Sequence, residues 1–344
     1  MKLLKIAILF AVFSLFLSAC AQENGGEGFS GTYCLSITNI EMTIVQSGNK
    51  VAFSTLGDFL TDGTGTIDAD TLNLTATIDG NQTFHGQMVF SKDRQSFSGP
   101  FQILNENEQV AMESMLQGIK GECAKYDIAT KGIPRFIEHD FIQLNKVEMV
   151  SKFRSGFGHS FTDGFESCRS MKHYFAPYPI YRENNNIEMY SPVKGTIASV
   201  DNEFFGSSIG LTNKQIYIRP DDQPAFTIVL YHCDLVSSAI QVGKKVEHGE
   251  LLGYARMYYD DIGEYTNSFD IAIWANTTEG GRLVSYFHVI NEAVFNQYLS
   301  RGVPSREEFI ISQAQRDATP LQCLGESFVN EVNEGNPEGW VILN

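Results

Sequence analysis

The sequence predicts a mostly β protein with an N-terminal antiparallel barrel or meander, a second strand-rich domain and short helices towards the C-terminus. Apolar and polar residues alternate in short segments from residue 31 to about 123, and again between 195 and 274. Beyond Leu283 the apolar residues instead recur at helical spacing. A period of two places apolar side chains on one face of a strand, whereas intervals of three and four place them on one face of a helix. A chain of 344 residues is long enough for two ordinary domains.

The first 19 residues have the pattern of a signal peptide. Two lysines precede an almost uninterrupted apolar run over 6–17, which is too short to cross the roughly 30 Å hydrocarbon core of a bilayer. The run ends in Leu17-Ser18-Ala19-Cys20, which resembles the lipobox of bacterial lipoproteins. The resemblance implies cleavage after Ala19 and attachment of lipid to Cys20. An ordinary signal cut near Ala19 or Ala21, with a chance cysteine, is the alternative.

Residues 20–30 are polar and rich in glycine, so we expect a flexible tether there. No later segment approaches eighteen uninterrupted apolar residues, so we expect lipid to be the only membrane attachment. The lipobox resemblance implies export to the cell envelope. The same resemblance implies the outer membrane in a Gram-negative cell, because an alanine rather than an aspartate follows Cys20.

Charge and cysteine content limit the partners and the compartment. A formal net charge of −16 repels phosphate backbones, so we expect no nucleic-acid partner. An oxidising envelope would permit disulfides. Cys34 and Cys123 bracket the first half of the chain, and we predict that they pair. The pattern leaves the connectivity of Cys168, Cys233 and Cys323 open, and one of these three must stay free.

The first domain is predicted over 31–126. Its alternating segments are separated by turn residues such as Ser47-Gly48-Asn49 and Asp79-Gly80-Asn81, which is typical of a small antiparallel barrel or sandwich. Residues 105–118 are predicted to be helical. No cluster of histidine, cysteine or acidic residues stands out, and we expect the lone His85 to be a surface residue. A module that presents the second domain is favoured over a ligand-binding barrel.

The rest of the chain divides into a linker over 127–150, a second β domain over 151–290 and a helical extension over 291–344. Strands are predicted at 195–200, 208–211, 215–218, 226–231 and 269–274, with a glycine-rich hairpin at 242–253. Helical spacing follows over 291–301 and around 306–315.

One glycine-rich stretch in the second domain carries candidate metal ligands. His159 and Asp163 lie four residues apart and can offer one nitrogen and one oxygen to a divalent metal. The segment Tyr231-His232-Cys233, the glycine-rich hairpin and the strand at 269–274 follow in that order. Together they resemble the lysostaphin/LytM-type zinc endopeptidases, whose catalytic domain is a two-sheet β fold called the duplicated hybrid motif. The resemblance covers about 153–289.

The resemblance implies a set of site residues. His159, Asp163 and Asp270 stand at the positions of metal ligands, most naturally for zinc, and His232 stands at that of a catalytic histidine. Where the family has a final His-x-His pair, this chain has Ser268-Phe269-Asp270. A His-Asp-Asp set is more anionic and would lower the Lewis acidity of zinc. The loss of a base at residue 268 leaves His232 alone to move protons.

These observations favour an envelope lipoprotein with an endopeptidase-like domain that has lost catalysis and binds peptidoglycan or a partner protein. The alternative is an active metal-dependent endopeptidase with a His/Asp/Asp site, and a purely structural second domain ranks third. His173 is a candidate substitute ligand or base, although packing is the favoured interpretation. Because Cys168 and Cys233 lie near the candidate site residues in sequence, we expect a disulfide between them in preference to a cysteine-bound metal.

Overall fold

The computed structural model describes residues 28–36, 40–56, 62–78, 82–202, 210–259, 263–323, 328 and 339–344. The predicted signal peptide, Cys20 and most of the predicted tether lie outside these ranges. Within them, no helix is both long enough and apolar enough to span a bilayer. The fold is mostly β, as the sequence predicts, with a few short helices.

The N-terminal half forms a closed antiparallel barrel of eight strands paired in sequence order. Alternate side chains point inward, and the barrel encloses an aromatic-rich core that includes Tyr33, Phe84, Met88 and Phe97. Inward packing of alternate residues is what the period of two dictates. The strands are β1 Gly31–Leu35, β2 Glu41–Ser47, β3 Lys50–Leu56, β4 Gly63–Asp68, β5 Thr71–Ile78, β6 Gln82–Phe90, β7 Ser96–Leu104 and β8 Val110–Lys120.

The predicted helix over 105–118 is wrong. Residues 105–109 form a turn, and β8 pairs along its length with β7, as in the register Phe101↔Ser114. Leu116 is buried in the barrel core, while Met115 beside it is exposed. Pairing of β8 with both β7 and β1 closes the barrel, and this tertiary gain outweighs the helix propensity of the segment.

The predicted disulfide between Cys34 and Cys123 is confirmed, with an S–S distance of 2.09 Å. The expected pairing of Cys168 with Cys233 is wrong, because Cys168 pairs with Cys323. Cys233 is a free, buried thiol in the core of the second domain. The C-terminal extension therefore folds back onto the segment that carries Cys168, which the sequence pattern could not reveal.

The second half is built on an eleven-stranded network with the main order β15-β12-β13-β14-β19-β10-β9-β21. Strands β11, β16 and β20 lie off this path, and β17 and β18 form a separate two-stranded sheet. The bounds are β9 Val147–Ser151, β10 His173–Pro177, β11 Glu188–Tyr190, β12 Gly195–Asn202, β13 Lys214–Pro220, β14 Phe226–Leu235, β15 Lys245–Val246, β16 Leu251–Ala255, β17 Tyr258–Tyr259, β18 Glu264–Tyr265, β19 Phe269–Thr277, β20 Gly280–Val284 and β21 Trp340–Ile342.

Strand β14 changes its pairing partner along its length. Its residues 226–230 pair with β19, whereas its residues 233–235 pair with β16. The change of partner falls at residues 231 and 232, where the register with β13 also shifts. Such an irregularity re-aims side chains and is common next to functional sites. His232 therefore lies at the point where β14 changes its partner from β19 to β16.

The helices are short. They are α1 Ile128–Lys131, α2 Tyr286–Val289, α3 Glu292–Leu299 and α4 Gln313–Ala318, with 3₁₀ turns at Leu144–Lys146, Pro179–Tyr181 and Arg306–Phe309. Helix α3 falls within the predicted 291–301 segment. The segment predicted around 306–315 is instead divided between a 3₁₀ turn and α4, whose N-terminus is closed by a capping box of Ser312 and Gln315.

Candidate functional site

His232 occupies a strained position in the middle of strand β14. Its φ is +57°, a left-handed conformation that non-glycine residues adopt at a cost of about 1–2 kcal/mol. The ring uses both nitrogens within the protein. Nδ1 lies 2.8 Å from the hydroxyl of Tyr259, and Nε2 lies 3.2 Å from Oδ1 of Asp270. The strain therefore serves to direct the imidazole at a buried carboxylate.

Asp270 forms a second, shorter ion pair with Lys172. Strand β19 lies between β14 and β10, and Asp270 is in register with Tyr174 on β10. Lys172 immediately precedes β10, and its Nζ lies 2.5 Å from Oδ2 of Asp270. The side chains of Lys172 and Asp270 are only 5 and 1% exposed. The sheet thus brings an ammonium and an imidazole to opposite oxygens of one buried carboxylate.

Three aromatic rings surround the ammonium of Lys172. Its Nζ lies 4.5 Å from the ring centroid of Tyr231 and 5.0 Å from those of Phe161 and Tyr174. Ring faces attract a cation at such distances. Burial alone would lower the pKa of Lys172, but the neighbouring Asp270 carboxylate outweighs burial and raises it. Burial would raise the pKa of Asp270, and Lys172 and His232 instead lower it. Both groups of the pair are therefore charged at neutral pH.

His159 lies at the protein surface beside this centre. Its Nδ1 is 3.0 Å from the carbonyl oxygen of Ser160, and its ring lies 6.2 Å from that of Phe161. Partial burial, followed by the positive charge of Lys172, lowers the pKa of His159. The charges of Asp270 and His232 also act on it. The structure therefore gathers three predicted site residues, His159, His232 and Asp270, around an unpredicted lysine.

Asp163 has a different environment from the other predicted ligands. Its Oδ1 accepts hydrogen bonds from the backbone N–H groups of Phe165 and Glu166, at 2.9 and 3.1 Å. Its Oδ2 accepts from the backbone N–H of Leu283 on β20, at 2.9 Å. It also lines a separate cavity of about 230 Å³ with residues that include Arg154 and Arg282. In this arrangement the carboxylate closes a turn and ties it to β20.

The donor set does not fit a zinc ion in this arrangement. Among the residues that the structure describes, no group of three or more histidine, cysteine or acidic side chains is placed to hold a metal. Both oxygens of Asp163 accept backbone hydrogen bonds, and both oxygens of Asp270 face cationic or imidazole groups of the protein. Structural and catalytic zinc sites need three or four ligands that converge on one point. Here the position beside Asp270 is held by an ammonium.

A set of charged residues fastens the loop that carries His159 to the C-terminal extension. Glu166, whose side chain is 3% exposed, accepts hydrogen bonds from Arg154 and Arg169 at 2.6–2.7 Å. Arg169 also pairs with Asp317 in α4 at 2.7 Å. Together with the Cys168–Cys323 disulfide, these contacts hold both ends of the loop against α4. They hold in place the loop that carries His159 and Phe161.

Gly158 allows this loop to pack against Tyr174. Its φ is +74°, and a Cβ at this position would overlap the hydroxyl of Tyr174. We expect Gly158→Ala to lower the free energy of unfolding by about 2–3 kcal/mol through strain and displacement of Tyr174. Gly243→Ala is the matched control, because Gly243 has φ +85° but no atom near its Cβ position. Equal losses in the two variants, measured by urea unfolding, would contradict the packing role.

His173 belongs to the core. Its Nδ1 lies 2.8 Å from the carbonyl oxygen of Ser151, so it carries the proton, and Nε2 accepts from the hydroxyl of Ser285 at 2.8 Å. This arrangement agrees with packing rather than with a substitute ligand. Burial lowers the pKa of His173 to about 3, so the folded protein keeps a neutral imidazole there.

The neutral His173 predicts a specific pH dependence of stability. An unfolded chain binds a proton at this histidine below about pH 6.5, whereas the folded chain does so only near pH 3. The contribution to stability is complete above pH 6.5 and is lost as the pH falls towards 3, with about 2 kcal/mol gone at pH 5. His173→Gln keeps a donor and an acceptor but does not titrate. Between pH 7 and 5 the wild type should lose about 2 kcal/mol more than this variant in urea unfolding.

Comparing the wild type with His173→Gln also cancels the effect of other titrating groups on the pH dependence of stability. Burial raises the pKa of Asp140 to about 6, so this carboxyl acts on stability in the opposite direction over the same range. Asp140 is present in both proteins and cancels in the difference. A pH dependence that is the same in wild type and His173→Gln would contradict the neutral, buried state of His173.

Sequence reasoning missed Lys172. The available signal was a lysine directly before an aromatic-rich segment, residues 173–177, which the structure shows to be a fully buried strand. Ser268, at the position expected for a catalytic histidine, is buried, and its backbone groups bond to the hydroxyl of Thr266. The exposed His248 lies near Glu138.

Comparisons with known proteins give a distant structural likeness. No protein-family model and no curated protein matches the sequence. Two crystal structures of Helicobacter pylori Csd3, in a hexagonal and an orthorhombic form, match with TM-scores of 0.31 and 0.29. Both are 10% identical; the matches cover 76 and 77% of this chain and 80 and 82% of the Csd3 chains. Similarity at this level shows neither a shared site nor a shared activity.

Proposed function

We propose that this chain is an exported, lipid-anchored protein of the cell envelope whose second domain binds peptidoglycan without cleaving it. The observation that supports this most is the state of Asp270. The residue stands at the position of a metal ligand in the endopeptidase resemblance, yet the ammonium of Lys172 neutralises it inside the protein. A metalloendopeptidase needs a metal to activate water and to polarise the peptide carbonyl.

The state of His232 supports the same proposal. A general base must reach the proton that it abstracts, either directly or through one water. Both nitrogens of His232 are engaged within the protein, with Tyr259 and Asp270. The imidazole would have to break one of these contacts before it could act on a substrate. The arrangement suits a fixed structural centre better than a catalytic one.

A binding role also fits the surface beside the centre. His159 is exposed, and the half-buried rings of Phe161 and Trp274 lie 6.1 Å apart next to it. Imidazole and aromatic faces can contact both the sugar rings and the peptides of a wall polymer. A lipid on Cys20 would hold this surface close to the wall and raise its effective concentration, so weak binding would suffice.

Pelleting with purified sacculi tests the binding. We expect saturable co-sedimentation of the chain, weakened by His159→Ala. His248→Ala is the matched control, because it removes another exposed histidine, one that lies near Glu138. Absence of co-sedimentation would contradict peptidoglycan as the ligand and would leave a partner protein as the remaining hypothesis. Equal effects of the two variants would contradict the proposed surface.

The anchor has its own test. Cells that express the full chain are grown with a radiolabelled fatty acid, and we expect label in the wild type and none in Cys20→Ser. The labelled protein should fractionate with the outer membrane. Label retained in Cys20→Ser, or a chain released in soluble form by the wild type, would contradict the lipid anchor.

A further inference from the structure

We propose that Lys172 is a built-in cation that takes the place of a metal ion at this centre. Its ammonium balances Asp270, and Asp270 in turn orients His232. The endopeptidase resemblance implies a metal there, and the contacts of the described residues disagree with it. This inference rests on the non-hydrolytic part of the proposed function, and it does not depend on what the second domain binds.

The first step is the need for a positive charge. Asp270 is 1% exposed, and an unpaired buried carboxylate would cost several kcal/mol. The largest charge effects on Asp270 come from Lys172 and His232. Arg154 and Arg169, the nearby arginines on the same loop, are already paired with Glu166. Lys172 is therefore the permanent cation that makes the buried carboxylate tolerable.

The second step is that an ammonium and a metal cannot both occupy this position. A zinc ion bound to a carboxylate oxygen lies about 2.0–2.2 Å from it. The Nζ of Lys172 lies 2.5 Å from Oδ2 of Asp270, in the same small volume. The rings of Tyr231, Phe161 and Tyr174 enclose that volume and attract a monovalent cation without offering a metal a strong donor.

The third step is what removal of the lysine would leave. Lys172→Ala deletes the ammonium and its alkyl chain but keeps Oδ1 of Asp270 and Nε2 of His232 facing each other at 3.2 Å. This oxygen and nitrogen can share a divalent metal whose remaining ligands are water molecules. Lys172→Met removes the charge but fills the volume. The two variants therefore separate loss of charge from opening of a space.

Thermal unfolding and metal analysis of the full chain, purified in detergent, test the inference. Samples are measured in EDTA and in excess zinc sulfate for wild type, Lys172→Ala and Lys172→Met. We expect both variants to unfold at lower temperature than wild type in EDTA. Zinc should raise the Tm of Lys172→Ala by about 5 °C or more, with one zinc per chain, and should leave wild type and Lys172→Met unchanged. The second substitution Asp270→Asn should abolish the zinc uptake of Lys172→Ala.

Several results would overturn the inference. One is a wild type that takes up one zinc per chain in a way that Asp270→Asn abolishes. Another is a Lys172→Ala chain that binds no zinc, whether it is folded or stays unfolded in both conditions. Failure of sacculus binding leaves these results untouched, so the inference and the proposed ligand fail separately.

Discussion

Replacement of Lys172 by methionine is expected to lower the free energy of unfolding of the second domain by about 3–5 kcal/mol. Methionine has a similar length and volume, so the loss comes from charge rather than from a cavity. Asp270 is 1% exposed and would keep only His232 as a partner. Urea unfolding followed by tryptophan fluorescence measures the effect, because both tryptophans, Trp274 in β19 and Trp340 in β21, lie in the sheet that carries Asp270.

Two further variants make this prediction specific. Lys172→Met combined with Asp270→Leu should recover most of the loss, because a buried ion pair can be replaced by apolar residues at little cost, whereas one unpaired member is expensive. Lys245→Met is the control for an exposed pair. Its Nζ lies 2.8 Å from Asp221, but its side chain is 70% exposed, so we expect a loss below about 1 kcal/mol. Equal losses for Lys172→Met and Lys245→Met would contradict a buried, essential cation.

Loss of the Cys34–Cys123 disulfide should have an effect of similar size on the barrel. The two cysteines are 89 residues apart, and closing a loop of this length in the unfolded chain stabilises the folded state by about 4.6 kcal/mol in the chain-entropy description. We therefore expect Cys34→Ser with Cys123→Ser to lower the stability of the barrel by about this amount.

Hydrogen exchange provides the measurement for the barrel, since neither tryptophan reports on it. Amides of β1 and β8, which pair beside the disulfide, should lose protection by a factor of about 10³. The loss is smaller for amides that already exchange through local opening. Cys168→Ser with Cys323→Ser is the control, because that disulfide fastens the loop of the second domain. Unchanged protection of β1 and β8 after removal of the first disulfide would contradict its stabilising role.

The sequence predicted the secondary structure correctly where the spacing of apolar residues is compatible with a strand but not with a helix. The alternation along β5 and β6 has few apolar residues out of phase. It predicted a small antiparallel barrel or sandwich, and the structure contains a closed barrel. Residues 105–118 were misjudged because the segment reads as a helix when taken alone. Only closure of the barrel, which depends on β1 more than seventy residues earlier, makes it a strand.

Residue spacing and the order of the motifs predicted only part of the site. His232 and Asp270 lie together as expected because neighbouring strands carry them. Asp163 was expected beside them, but its backbone hydrogen bonds turn it towards β20. Lys172 was missed because its partner lies on a different strand, and no local pattern records a pairing across a sheet. The Cys168–Cys323 pair was missed for the same reason.

Incubation of the wild-type chain with purified sacculi and zinc tests the central claim most directly. Soluble products are separated after mutanolysin digestion and compared with those of untreated sacculi by mass spectrometry. With Lys172 in the place of a metal ion, we predict sacculi whose cross-links and stem peptides are unchanged after prolonged incubation. New peptide termini that form with wild type and zinc, and that disappear in His232→Ala, would contradict a centre without hydrolytic activity.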